Sequence, residues 1–281
     1  MPFVRTSDDV ALHYSDWGSG QPVLLIHGWP LTAEMWEYQA SALVEAGYRV
    51  ISYDRRGFGR SDRPWSRYDY DRLADDLDSL IRHLDLRDIV LVGFSMGGGE
   101  VARFLSRHGA ARVAGAALIA AVTPCLARHP DNPHGLDHAV FDGLAAALSG
   151  DRVGFLAGYA ETVFRPGMDP VVAAGLKAWY LSMALPASGP ATLATVRAWY
   201  ETDFRPDMSA FTVPTLILHG AQDQSVPAAI AGRAAASLIP GARYVEYAEA
   251  GHFLPVDEKT RVTADLLAFL NGLRRSEPSA P

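Results

Sequence analysis

The pentapeptide Gly93-Phe94-Ser95-Met96-Gly97 constrains this chain more than any other stretch. It follows the apolar run Ile89-Val90-Leu91-Val92 and leads into Gly97-Gly98-Gly99-Glu100-Val101, so the local order is strand, tight turn, helix start. In that context Gly-x-Ser-x-Gly reads as a nucleophile elbow, a strained turn that lifts the serine hydroxyl clear of the backbone. The flanking glycines fit because a Cβ there would collide with the neighbouring strand or helix. The plain alternative is a glycine-rich turn that happens to contain serine; the strand before it and the helix after it weigh against that reading.

A chain of 281 residues is long enough for one large α/β domain or two small ones. Apolar residues make up 49% and charged residues 20%, the balance of a globular protein. The formal net charge of −7 argues against nucleic acid or an anionic membrane as partner, since both require clustered Lys and Arg. The longest apolar stretch, Val113 to Val122, is too short to span a bilayer and reads as a buried strand. The segment Met1-Pro2-Phe3-Val4-Arg5-Thr6 has no basic-then-apolar export pattern. The single Cys125 excludes an internal disulfide and a cysteine-based metal site. A cytoplasmic protein is expected.

Strand and helix patterns alternate through the first half. Phe3 to Thr6 and Val10 to Asp16 read as a hairpin, and Val23-Leu24-Leu25-Ile26 as a strand covered on both faces. Helices are expected over Met35 to Glu45, Arg72 to Leu84 and Gly97 to His108; strands over Arg49 to Tyr53 and Val113 to Ala120. Strands separated by helices of this length imply a parallel sheet. From Pro124 to Met208 the pattern is helical, rich in Ala and aromatics and broken by prolines, as for a cap over the sheet's carboxyl edge. Strands resume at Val213 to His219 and Ala242 to Tyr247, before a closing helix from Lys259 to Leu273. The expected division is a core of residues 1–123 and 209–273, a helical cap of residues 124–208, and a disordered tail of residues 274–281.

A serine hydroxyl needs a base within hydrogen-bond reach, and the base needs an orienting carboxylate. In an open α/β sheet such groups gather at the carboxyl ends of strands, in the chain order Ser, acid, His. Asp223 follows one late strand within His219-Gly220-Ala221-Gln222-Asp223, and His252 follows the last within Glu249-Ala250-Gly251-His252-Phe253. Ser95, Asp223 and His252 are therefore the expected catalytic residues; Asp203, Asp207 and Glu249 are less well placed. The oxyanion of a tetrahedral intermediate needs preorganised N–H donors. The Met96 N–H is one candidate and the Trp29 N–H, in His27-Gly28-Trp29-Pro30, the other; Pro30 has no N–H to offer. His27, Phe164 and Trp199 are expected near the substrate pocket; Phe155, Trp179, Tyr180, Met183 and Tyr200 are further candidates from the helical segment, most of which should be core. Glu100 reads as a packing or surface residue.

The charged run Asp54-Arg55-Arg56-Gly57-Phe58-Gly59-Arg60-Ser61-Asp62 balances acids against arginines and lacks the Gly-x-x-x-x-Gly-Lys phosphate pattern, so structural ion pairing is expected. No His, Asp and Glu cluster has metal spacing, and no cofactor is expected. Chemistry that needs an aspartate nucleophile at the elbow is argued against by Ser95. A hydrolase-like receptor with weak turnover, or a lactonase, stays open.

These residues resemble the α/β-hydrolase superfamily, and in particular its cofactor-free bacterial haloperoxidase (perhydrolase) and aryl esterase branch. The stretches that carry the resemblance are Tyr14-Ser15-Asp16-Trp17-Gly18-Ser19-Gly20-Gln21-Pro22, His27-Gly28-Trp29-Pro30-Leu31, Tyr53-Asp54-Arg55-Arg56-Gly57-Phe58-Gly59, Gly93 to Arg103, and Glu201-Thr202-Asp203-Phe204. The resemblance implies a Ser95-Asp223-His252 triad, hydrolysis of small carboxylic esters without metal or haem, and a side reaction in which peroxide replaces water. Its expected partners are a small-molecule ester and hydrogen peroxide, with a homo-oligomer left open. The stretch Gly251-His252-Phe253-Leu254-Pro255 departs from the Pro-His-Gly-Leu ending of that branch.

Overall fold

The computed structural model describes residues 2–161, 163–164 and 168–276. An antiparallel hairpin, β1 (Phe3–Arg5) and β2 (Ala11–Gly18), opens the chain. Then come β3 (Pro22–Ile26), a 3₁₀ turn at Ala33–Trp36, α1 (Glu37–Glu45) and β4 (Arg49–Tyr53). They are followed by α2 (Tyr70–His83), β5 (Ile89–Phe94), α3 (Met96–His108) and β6 (Val113–Ile119). Among the described residues, four α-helices intervene: α4 (His138–Gly150), α5 (Arg152–Ala160), α6 (Pro170–Ala184) and α7 (Gly189–Glu201). The chain closes through β7 (Thr215–Gly220), α8 (Gly232–Leu238), β8 (Arg243–Tyr247), α9 (Leu254–Asp257) and α10 (Lys259–Ser276).

Among the described residues, eight strands form one sheet in the order β1-β2-β4-β3-β5-β6-β7-β8, with β2 antiparallel to its neighbours β1 and β4 and every other neighbouring pair parallel. From β3 the chain steps to one side to form β4, then returns to form β5 on the other. The switch point between β3 and β5 opens a crevice at the carboxyl edge, where ligands bind in open α/β sheets. Successive side chains of a strand face opposite ways. Leu24, Ile26 and Leu91 accordingly join one buried layer with α2 and α3, while Val23, Leu25, Val90 and Val92 join the other with α1 and α10. Burial on both faces explains why these strands read as unbroken apolar runs.

Local chemistry sets the helix starts. Asp69 caps α2 by accepting from the Arg72 N–H at 2.9 Å, and Leu73, Leu77, Leu80 and Ile81 form its buried face. Pro170 and Pro190 sit in the first turns of α6 and α7, where a missing N–H costs nothing. The helix expected over Met35 to Glu45 is split, because the 3₁₀ turn buries Met35 and Trp36 before α1 begins.

The expected tail needs correction at its start. Arg274 to Ser276 extend α10, since the Arg274 guanidinium stacks on the Tyr48 ring and donates to the Gly47 carbonyl at 3.0 Å. Residues 277–281 lie outside the described residues. Among the described residues, no helix is long and apolar enough to cross a membrane.

Candidate active site

Ser95 is the residue between β5 and α3, at the switch point. Its backbone is held at φ 52° and ψ −117°, a left-handed conformation that stores strain in a non-glycine residue. Sheet hydrogen bonding holds it there: the Ser95 N–H donates to the Ile119 carbonyl at 2.9 Å, and the Ser95 carbonyl accepts from Gly98 and Val122. A Cβ on Gly93 would meet the Gly97 carbonyl oxygen at 2.4 Å, and one on Gly97 would meet that of Ile26 at 2.4 Å. Backbone lies against backbone at both positions, so the glycine spacing is a steric requirement of the turn.

His252 and Asp223 arrive from the loops after β8 and β7. The Ser95 hydroxyl lies 3.0 Å from His252 Nε2, and His252 Nδ1 lies 2.7 Å from Asp223 Oδ2. A carboxylate only accepts, so Nδ1 carries the ring proton and Nε2 faces the hydroxyl with its lone pair. Asp223 Oδ1 accepts from the N–H groups of Ser225 and Val226 at 2.9 and 2.8 Å. His219 Nε2 lies 3.3 Å from Asp223 Oδ2 and donates to the Val226 carbonyl at 2.8 Å. Burial opposes ionisation of Asp223, but the electrostatic pull and hydrogen bonds of the His252 and His219 rings overcome it and hold the carboxyl below the ordinary carboxylate range. All three side chains are buried. The rival acids are engaged elsewhere, Asp203 with Arg205 and Asp207 with Arg103.

Met96 is the first residue of α3, so its N–H has no intrahelical acceptor. Gly28 brings the loop after β3 against the elbow; a Cβ there would meet the Phe94 ring at 2.6 Å and the Ser95 Cβ at 3.3 Å. Among the described hydrogen bonds, neither the Met96 nor the Trp29 backbone N–H is a donor. The Trp29 indole instead spans to the helical layer, donating to the Thr192 carbonyl of α7 at 3.0 Å.

Ser95 and His252 open into a cavity of about 270 Å³. Trp29 and Val122 line its sheet side, Val140, Phe141 and Leu144 of α4 and Trp199 of α7 its helical side, and Tyr159, Gln224 and Ser225 its polar wall. The Tyr159 and Ser225 hydroxyls are hydrogen-bonded at 3.0 Å, and burial pushes the Tyr159 phenol up to about 12.

Of the expected pocket residues, Trp199 lines the cavity and two do not. Phe164 is core, packed against Tyr180 and Phe253. His27 is fully buried under the loop: it accepts from the Arg55 backbone N–H at 3.0 Å and packs edge-on against Phe58. The α4 residues Val140, Phe141 and Leu144 were not expected there; their i, i+1, i+4 spacing was the available signal. The charged run forms structural ion pairs: Arg60 meets Asp54 within the run, and the other arginines reach beyond it. Arg56 meets Asp76 and Asp8, and Arg55 meets Glu100, which is a fully buried ion-pair partner rather than a surface residue. Among the described residues, no group of three His, Cys, Asp or Glu is arranged to hold a metal ion.

The sequence profile of the alpha/beta hydrolase fold matches residues 21–259. The chain is 42% identical over 276 residues to the non-heme chloroperoxidase CPO-A1 of Kitasatospora aureofaciens, covering 96% of this chain and 100% of the relative. It is 38% identical over 279 residues to the bifunctional esterase/perhydrolase DCH of Acinetobacter calcoaceticus, covering 96% and 99%. The crystal structure of a bromoperoxidase from Bacillus anthracis superposes with a TM-score of 0.92 at 40% identity, covering 96% of this chain and 99% of that one. Sheet order, elbow geometry and sequence agree, and the chain belongs to the α/β-hydrolase fold family.

Proposed function

We propose that this protein is a serine hydrolase of small carboxylic esters that works through an acyl-enzyme, with hydrogen peroxide able to replace water in the second step. The observation that carries the reading is the unbroken chain from the Ser95 hydroxyl through His252 to Asp223, opening into an apolar cavity. The names of the chloroperoxidase and esterase/perhydrolase relatives support it.

Ser95 Oγ attacks the ester carbonyl carbon while His252 Nε2 takes its proton, and Asp223 stabilises the imidazolium. The Trp29 and Met96 N–H groups, with the positive end of α3, hold the oxyanion. As the intermediate collapses, the carbon–oxygen bond to the alcohol breaks and His252 returns the proton to the leaving alkoxide. Water then gives up a proton to His252 and attacks the acyl carbon. Release of Ser95, reprotonated by His252, leaves a carboxylic acid; the same sequence with hydrogen peroxide leaves a peracid. In this reading residues 1–123 and 209–273 supply the chemistry, and residues 124–208 supply the cap that shapes the cavity.

A cavity of about 270 Å³ suits a small ester. Most of its lining is apolar, so the cavity selects chiefly by size. The deciding experiment is Ser95→Ala with p-nitrophenyl acetate. Turnover near the parental rate would refute the acyl-enzyme; a burst of nitrophenol equal to the enzyme concentration in the parent would support it.

A further inference from the structure

Beneath the Trp29 N–H lies a buried polar network that the proposed reaction does not itself touch. Burial, with the neighbouring Arg55 charge, holds His27 well below the ordinary histidine range, so the ring is neutral and has one N–H. The Arg55 backbone N–H donates to Nε2 at 3.0 Å, which places the ring proton on Nδ1. Nδ1 in turn donates to the Gly28 carbonyl at 2.8 Å. Arg55 Nη1 also approaches Nδ1, at 3.2 Å, but in this tautomer that contact is between two donors. The opposite tautomer would make that one bond, lose the other two and set two N–H groups face to face. The guanidinium is anchored otherwise: Nη2 donates to the His27 carbonyl at 2.7 Å and Nε to Glu100 Oε2 at 2.6 Å.

The Gly28 carbonyl and the Trp29 N–H belong to one planar peptide and point in opposite directions. Whatever fixes the carbonyl therefore aims the N–H. The Gly28 carbonyl accepts from His27 Nδ1 and also from the Leu31 N–H at 3.0 Å. A peptide that begins at glycine is the least restrained by its own side chain, so this anchoring matters more here than elsewhere in the loop.

We infer that His27 is a positioning residue: its Nδ1–H locks the Gly28–Trp29 peptide plane so that the Trp29 N–H faces the developing oxyanion. The inference rests on the proposed role of Trp29 as an oxyanion donor. Arg55 completes the frame. Its backbone sets the His27 tautomer, and its side chain ties the loop after β3 to Glu100 of α3, the helix whose first N–H belongs to Met96. Both donors thus ride on one buried frame, and a shift of either would open the hole.

Two variants separate the two ends of the imidazole. His27→Asn keeps an N–H near the Nδ1 position and loses the acceptor for Arg55. His27→Gln keeps an acceptor near the Nε2 position and leaves Gly28 without a side-chain donor. Each removes one buried hydrogen bond, so their melting temperatures should fall alike. With p-nitrophenyl acetate, His27→Gln should lower kcat about thirtyfold while KM stays within about threefold, and affinity for a boronic acid that adds to Ser95 should weaken by the same factor. His27→Asn should keep kcat within about threefold of the parent. Equal kcat losses in the two variants, losses that track melting temperature, or a change confined to KM would overturn the inference. The parent itself gives a test independent of either variant folding: ¹⁵N NMR should show a protonated Nδ1 on His27, and an unprotonated Nδ1 would sink the proposal. If Ser95→Ala retained turnover, the acyl-enzyme reading would fail; if Ser95→Ala is inactive and the two His27 variants match, only the role of His27 falls.

Discussion

Two walls enclose the cavity, and they are held in different ways. On the sheet side, Ser95, Asp223 and His252 are placed by hydrogen bonds of 2.7 to 3.0 Å, and the loop carrying Trp29 is pinned by His27 and Arg55. On the helical side, Val140, Phe141, Leu144 and Trp199 offer rings and methyl groups held by packing, as where Phe141 stacks on Tyr200 with ring centroids 4.1 Å apart. Hydrogen bonds are directional and tolerate little displacement, whereas apolar contact is roughly proportional to area and indifferent to direction. The strand ends therefore suit steps that need fixed geometry, and the proposed function assigns the setting of substrate size to the helices. The Trp29 indole, donating to the Thr192 carbonyl of α7, joins the two walls.

Substitutions should divide along this line. The largest effects belong to the sheet side: Ser95→Ala should lower kcat for p-nitrophenyl acetate by about 10⁴-fold or more, and Asp223→Asn by about 10⁴-fold through the wrong histidine tautomer. Near-parental kcat in Asp223→Asn would break the sheet-side account. The helical wall should respond differently. Trp199→Ala should raise kcat/KM for a p-nitrophenyl ester longer than acetate by about tenfold relative to acetate, with kcat on acetate itself within about threefold. A comparable kcat loss on acetate would mean that the helical wall also sets catalytic geometry.

Acid should expose the cost of the buried frame. The native His27 pKa lies well below its ordinary 6.5 because burial penalises the charged ring. The unfolded chain therefore binds a proton that the native state refuses. The His27 contribution to stability is complete above about pH 6.5 and is lost as pH falls from there toward the native pKa, by about 1.4 kcal/mol per pH unit. Urea unfolding between pH 5 and 7 should show this slope, and His27→Asn should flatten it by about one proton. The smallest effect concerns the choice of nucleophile. Pro30 fixes its own φ and restricts Trp29, and so influences where the Trp29 carbonyl lies. Pro30→Leu should lower the ratio of perhydrolysis to hydrolysis with hydrolytic kcat near the parental value; an unchanged ratio would remove Pro30 from the account.

Much of the sheet side is readable along the chain. Strands such as Val23 to Ile26 are buried on both faces and appear as short unbroken apolar runs. The order of Ser95, Asp223 and His252 is a linear property, and each follows a strand end. The helical wall is much less readable. Helices α4 and α6 are rich in apolar residues all round, so an aromatic on the core face, such as Tyr180 of α6, looks the same as one on the cavity face, such as Phe141 of α4. The place of His27 is not legible in the sequence, because nothing in His27-Gly28-Trp29-Pro30 says whether the ring turns toward the cavity or under the loop. Phe58 and the Arg55 backbone decide that. The charged tail read as frayed, yet Arg274 finds Tyr48 across the fold.

What the sequence determines by itself is local: the elbow with its glycines, the alternation of strand and helix, and the chain order of a hydroxyl, an acid and an imidazole. These depend on short-range sterics and on hydrophobic period, which a linear string carries in full. Only the tertiary structure decides that Asp223 and His252 reach Ser95, that His27 lies beneath the loop, and that Val140, Phe141 and Leu144 face the cavity. Ser95 and His252 are 157 residues apart, and Trp29 and Thr192 are 163 apart. Contacts over such separations are set by how the whole core packs, and that packing cannot be read from any one segment.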